Sequence, residues 1–415
     1  MILFLDCTNE ASGSFPIPLT QEIGDFNFPD LSKEDYHDKI LGFLVGSAIG
    51  DAMGSPVEMW SQDQIADRYG FVDRLIPNSR VASAEGPWVS NMQAGTGTDD
   101  TRWKFLFGQF LLNQIDRSLS PKAFAQYVDE QFDILKSTLE RTGNLESDKL
   151  EANVKYLQWL QEWAIVASAY NTGNIDTYSE RLAKFYGGEM ACAGLLYAPM
   201  IGILFPGDPQ NAYLQAWNNS LFDIGYAKDL TALSAAMVAV GMTTKSMDSV
   251  LNIHRFVDPK NYADSRLLGR IGYQIHEDAL SAQRTQMDSL HQGAVPSYFG
   301  NDSTRYAKML ATFEQMNPNL KAIPFHADEI YRITVYALAY AQDNFLDAMV
   351  FITNYGRDND TVGAVAGGIL GTFLGFRKLP ENMGKKVLDA HRDLLNIDLE
   401  RLAGALADKY YPESN

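Results

Sequence analysis

The sequence is short of the residues that most often carry metals and covalent chemistry. Its 415 positions hold two cysteines and six histidines. Cys7 and Cys192 lie far apart, so they give neither a disulfide framework nor a four-cysteine zinc site, and both are expected as free thiols. His37, His254, His276, His291, His326 and His391 are scattered, with no pair at metal-ligand spacing. Each is expected to sit satisfied in the core or on the surface. No Gly-x-Ser-x-Gly elbow occurs, which weakens any serine-hydrolase reading. Basic residues are the minority, 34 against 52 acidic, for a net charge of −18. That excludes the basic footprint of a duplex nucleic-acid binder and argues against an anionic membrane surface. No apolar run of about 20 residues stands out, so no membrane-spanning helix is expected. The opening Met1–Cys7 has no basic n-region and too short an apolar run for a signal peptide, which favours a cytoplasmic location. Strand-like alternation and a βαβ rhythm are missing as well.

What is present is helical. Hydrophobic residues make up 46% and charged residues 21%, an ordinary globular balance. Residues 1–31 read as an irregular extension. Ser32 then caps a helix with acidic residues in its first turn. Helical periodicity covers 35–54, 101–116, 121–141, 147–170, 189–203, 209–223, 228–241, 326–341, 343–354, 361–376 and 383–393. Segments 71–97 and 284–304 read as long loops, and loops of that length are often functional. The stretch 121–170, rich in Glu, Lys and Gln, reads as an outer helical layer. The expected fold class is therefore all-α, with residues 32–415 forming one multi-helix domain.

Two helices are unusual. One carries Gly42, Gly46, Gly50 and Gly54, and the other Gly363, Gly367, Gly371 and Gly375. Residues four apart share a helix face. Each interior glycine costs ~1 kcal/mol relative to alanine, so the ladders imply close backbone approach to a neighbour. Both helices are expected at the centre, against each other.

Acidic knots stand at the ends of these helices. Asp51 lies in the last turn of the first ladder and Glu58 just beyond it, and Asp358 and Asp360-Thr361 precede the second. A third knot, Gly97-Thr98-Asp99-Asp100-Thr101, opens another helix. A single aspartate there would simply cap the helix and satisfy its dipole. Asp-Asp and Asp-x-Asp gather more like charge than a cap needs, and like charges at ~4–6 Å oppose ionisation unless a cation intervenes. Oxygen donors of this kind suit Mg²⁺, Mn²⁺ or Ca²⁺ rather than zinc.

Gly50-Asp51-Ala-Met-Gly54-Ser-Pro-Val-Glu58, Thr98-Asp-Asp-Thr101 and Asp358-Asn-Asp360-Thr361 with its Gly/Ala helix resemble, in order, three signatures of the ADP-ribosylglycohydrolases. The resemblance spans residues 42–376. It implies a compact all-α domain with a central cleft holding two Mg²⁺ ions (Mn²⁺ or Ca²⁺ as substitutes), and hydrolysis of a glycosidic bond at the anomeric carbon of an ADP-ribosyl or other ribosylated substrate. Carried over, it gives Thr98, Asp99, Asp100, Asp358, Asp360 and Thr361 as metal ligands, with Glu58, Asp99 and Asp100 as catalytic carboxylates. Gly97, Gly187, Gly188, Tyr226 and Tyr298 are the expected substrate-binding positions. Tyr298 either stacks a base, closes the site as a lid, or merely anchors packing. The chain departs from the family pattern where the substrate wall is expected. No Arg follows Met190, and no His stands in Gly225-Tyr226-Ala-Lys228-Asp229. The competing reading is an inactive paralogue that binds a ligand. Another two-metal hydrolase such as a phosphoesterase lacks the histidines usual for such sites.

Overall fold

The computed structural model describes residues 26–78, 92–141, 147–260, 268–285 and 293–412. Most of the 1–31 extension and much of the 71–97 and 284–304 loops fall outside that range. Among the described residues the chain forms α-helices and short 3-10 turns, with isolated bridges as its only β pairings. In chain order the α-helices are α1 (Lys33–Gly54), α2 (Gln62–Tyr69), α3 (Asp99–Asn113), α4 (Pro121–Arg141), α5 (Ser147–Asn171), α6 (Ile175–Leu182), α7 (Pro209–Asn219) and α8 (Ala227–Gly241). They continue with α9 (Met247–Leu251), α10 (Arg270–Thr285), α11 (Ser303–Met316), α12 (Ala327–Ala341), α13 (Phe345–Tyr355), α14 (Asn359–Leu374), α15 (Glu381–Leu395) and α16 (Leu399–Tyr410).

α1 and α14 are the axis of the molecule. Ser32 caps α1, its Oγ accepting from Asp35 N at 3.0 Å. The glycine ladders meet antiparallel. A Cβ built on Gly46 would overlap the carbonyl oxygen of Gly367, and one on Gly50 would overlap that of Gly363. The two backbones thus touch with no side chain between them, and every residue of α1 from Ile40 to Gly54 is buried. This helix is also long and apolar enough to cross a membrane by length and composition, with a mean hydropathy of 1.4 over its most apolar window. That corrects the expectation that no such run exists. The window is wholly buried inside the protein, and its hydropathy comes from the Gly, Ala, Ile and Leu of a packing core.

Around this axis lie α8, α12, α13, α3 and α16. α4 and α5 pair with each other, but they are not simply an outer layer. Trp159 and Trp163 of α5 are buried, with ring centroids 4.9 and 4.1 Å from Trp103 of α3. The polar residues of α5 mask this apolar edge in the sequence. The expected helix over 189–203 is instead two 3-10 turns, Ala193–Leu196 and Ala198–Leu204. Pro199 stands at the start of the second turn, where it lacks the N–H an α-helix would need. The first turn is held from outside, by Gly194 N donating to Asp223 Oδ1 at 2.6 Å. The expected helical stretches do not include α2, α6, α9, α10, α11 and α16, although α10 and α16 are amphipathic and Asp302 and Asp398 cap α11 and α16. At the edge of the extension, Phe26 meets Phe205 edge-on at 5.5 Å and Phe28 meets Tyr36 at 5.2 Å.

Candidate active site

The antiparallel ladder has one consequence for chemistry. It sets the C-terminal end of α1 beside the N-terminal end of α14, with Gly54 against the backbone of Asn359. The N-terminus of α3 joins them. Asp51, in the last turn of α1, is fully buried and organises the junction. It accepts from Thr98 N at 2.9 Å and Thr98 Oγ1 at 3.0 Å, and from Thr101 N at 3.1 Å and Thr101 Oγ1 at 2.5 Å. Thr98 Oγ1 also lies 3.3 Å from Asp360 Oδ2. Thr361 Oγ1 stands 3.0 Å from Asp100 Oδ2 and 3.2 Å from Asp358 Oδ1. Asp51 was quoted in a motif without a role. Its part as an acceptor for two threonines is visible only once α1 and α3 are docked.

Beyond this junction opens a small cavity of about 40 Å³. It is lined by the polar residues Glu58, Asp99, Asp358, Asp360 and Thr361, by the aromatic rings of Trp163, Tyr186 and Phe325, and by Ala191, Cys192, Ala193 and Leu196. Carboxylate oxygens of Glu58, Asp358 and Asp360 lie within 4.8 Å of one another. Three buried carboxylates that close repel strongly in a medium of low polarity. Burial, reinforced by the charges of Asp360 and Asp51, pushes the Asp99 carboxyl up to about 7, against the pull of Arg102. Burial raises Asp100 well above the usual carboxylate range, with buried Lys104 the main opposing influence. The Lys104 Nζ lies 3.5 Å from Asp100 Oδ1. Burial and then Asp360 also raise Asp51, against the hydrogen bonds from the Thr101 hydroxyl and from the Thr98 backbone and hydroxyl.

The sequence-derived residues divide. Glu58, Asp99, Asp358, Asp360 and Thr361 converge on the cavity. Thr98 and Asp100 sit one layer behind, occupied by Asp51 and by Thr361 and Lys104 respectively. Gly97 is not part of the lining. A Cβ there would run into the Asp51 carboxylate, so its smallness serves the junction rather than a substrate. Gly187 and Gly188 are exposed with φ of 70° and 81°, and they turn the chain so that neighbouring Tyr186 becomes the wall. Tyr226 is directed to Asp328, its hydroxyl donating to Oδ2 at 3.0 Å. Tyr298 is a packing anchor elsewhere. Its hydroxyl donates to Asp347 at 2.5 Å and its ring stacks on Phe71 at 6.2 Å. Trp163, Cys192 and Phe325 carry no signal in the sequence, since each alone reads as ordinary core, and Tyr186 reads there as either a ring-stacking residue or a packing anchor.

An all-α protein that gathers hard oxygen donors and an aromatic wall around one small cavity is suited to bind a cation and a polar ring together. The family profile described as ADP-ribosylglycohydrolase matches residues 32–415, and the chain belongs to that family of glycohydrolases. The Escherichia coli protein YegU, itself described as uncharacterized, is 22% identical over 386 residues, covering 89% of this chain and 96% of YegU. The ADP-ribosyl-[dinitrogen reductase] glycohydrolase of Rhodospirillum rubrum is 32% identical over 111 residues, which is 26% of this chain and 32% of that enzyme. A solved structure titled as an ADP-ribosylglycohydrolase-related protein complex superposes with a TM-score of 0.51 at 16% identity, covering 91% of this chain and 99% of its own. That likeness concerns the fold.

Proposed function

We propose that this chain is a hydrolase of a ribosyl glycosidic bond, dependent on a hard divalent cation, with Mg²⁺ the natural choice. The observation that carries the reading is the convergence of Glu58, Asp358 and Asp360, contributed from sites some 300 residues apart in sequence, on one cavity. The donor set suits such an ion. It offers carboxylates and a hydroxyl, and Asp360 Oδ1 is buried with no hydrogen-bond partner among the described residues. Glu58, Asp358 and Asp360 would hold one ion. Asp99 and Thr361, in the same lining, are the further donors a second would need. Bound there, such ions would polarise sugar oxygens and acidify a water.

The chain's own groups do the rest. Asp99, a carboxylate in the cavity lining, is the candidate to take a proton from the attacking water. Asp51 and Thr98 fix the α3 N-terminus that carries it. Trp163, Tyr186 and Phe325 offer flat faces to a ring and exclude bulk water. Cleavage through an oxocarbenium-like state needs a positioned water and a carboxylate to receive its proton. A substrate panel tests the proposal: ADP-ribosyl-arginine, ADP-ribosyl-serine, O-acetyl-ADP-ribose and plain nucleosides, with and without Mg²⁺. Release of free sugar only with Mg²⁺ supports it. A protein that binds the ion and releases nothing from any of them is the inactive paralogue instead.

A further inference from the structure

Two non-glycine residues beside the cavity carboxylates take left-handed backbone conformations, Met59 at φ 64° and Arg357 at φ 71°. Such angles are unfavourable for side chains larger than glycine, and they persist only where surroundings impose them. Here the two residues face each other. Met59 N donates to Arg357 O at 2.7 Å, and Arg357 N donates to Trp60 O at 2.7 Å. The next positions in the chain on either side are Glu58 and Asp358, two of the three clustered carboxylates. Gly356 completes the contact, since a Cβ there would overlap Trp60 O.

The Arg357 side chain is anchored in turn. Its guanidinium grips Glu329 of α12 with two bonds, Nε to Oε1 at 2.6 Å and Nη2 to Oε2 at 3.1 Å. Glu329 is buried, and its Oε2 also accepts from Lys321 N at 2.6 Å. Nη2 of Arg357 donates to Lys321 O at 2.7 Å. Lys321 begins the strap that leads to Phe325 on the cavity wall, and Cys192 N fastens the strap's far end by donating to Phe325 O at 3.0 Å. Arg357 therefore ties together three segments that each give the cavity a lining residue: its backbone holds 58–60 against 357–358, and its guanidinium holds 321–325 through Lys321 and Glu329.

We infer that Arg357, held by Glu329, is a positioning residue that sets Glu58 and Asp358 against each other as a preformed cation site and aligns the Phe325 strap with them. This rests on the cation-site reading proposed above. Outer partners that orient metal ligands typically command 10–100-fold in affinity. The test is Mn²⁺ titration of the full chain, followed by the loss of the free-ion EPR signal, together with melting of the ion-free protein. The variants are Glu329→Gln and the double variant Arg357→Gly with Glu329→Gln. The double change strands no buried carboxylate, and glycine accepts a φ of 71° without strain. Arg377→Ala, which removes an ion cluster away from the cavity lining, is the control. The expected result is Mn²⁺ affinity about tenfold or more weaker in both variants, a broadened bound-ion spectrum in the double variant, wild-type affinity in the control, and a folded ion-free protein throughout. Folded variants that bind Mn²⁺ like the wild type overturn the positioning role alone. A wild-type chain that binds no Mn²⁺ overturns the cation site and this role together.

Discussion

Carboxylates cluster at both ends of the α1/α14 pair, and the ends treat them differently. At the outer end Glu34, Asp35 and Asp38 surround Arg377, which lies just past α14, at 2.9, 2.5 and 3.3 Å. Glu34 is 82% exposed, so water and a mobile guanidinium disperse the charge. At the inner end Glu58, Asp358 and Asp360 are all buried and lie within 4.8 Å of one another. The same residue types in and beside the same two helices thus form a solvated ion cluster at one end and a crowded pocket of donors at the other. Burial makes the difference, because desolvated like charges are tolerated only where something repays them.

The largest expected effect is at the inner end. Asp358→Ala combined with Asp360→Ala should abolish the rise in melting temperature on adding Mg²⁺, and should lower any glycohydrolase rate by about 10²–10³-fold or more. Its ion-free form should melt no lower than the wild type, since repulsion is relieved. A normal Mg²⁺ response in that variant would place the ion elsewhere. Next comes the contact that joins the ends. Gly46→Leu should cost about 3 kcal/mol or more in denaturant unfolding, because even its Cβ collides with the carbonyl of Gly367. Neutrality there would mean that the helices are not in backbone contact.

A smaller effect concerns a buried titrating group away from both ends. His276 is fully buried, with its ring nitrogens 2.7 Å from Leu251 O and from the Tyr331 hydroxyl. Burial, then neighbouring His254, lowers it to about 3. A histidine lowered on folding contributes its stability above its ordinary value of 6.5, and loses it as pH falls through that value towards 3. Relative to wild type, His276→Gln should flatten the pH dependence of stability by about 2 kcal/mol between pH 7.5 and 5. Parallel curves for the two proteins would refute the assignment. The smallest effect returns to the outer end. Arg377→Ala should leave the Mg²⁺-induced stabilisation intact and shift the melting temperature barely beyond error, as exposed ion clusters do. A clear loss of Mg²⁺ response would show that the two ends are coupled.

The helical class, the ladders, the acidic knots and the family resemblance could all be read from the chain, because each is written in short-range spacing. The aromatic wall could not. Trp163 lies in a helix whose polar residues suggested an outer surface, and Tyr186 owes its placement to the left-handed turn through Gly187 and Gly188. Gly97 and Tyr298 show the opposite failure. Both looked like substrate contacts, yet one makes room for Asp51 and the other is tied to Asp347. A small or aromatic residue in a loop looks the same in sequence whether it faces a ligand or a neighbour.

Which residues can donate hard oxygens, and which two helices can touch through their backbones, is fixed locally by residue type and a four-residue period. Which donors share a cavity is a long-range matter. It was decided by the antiparallel docking of α1 on α14, the bonds from α3 to Asp51, and the grip of Arg357 on Glu329. Those contacts join positions separated by tens to hundreds of residues, and only folding brings them within reach.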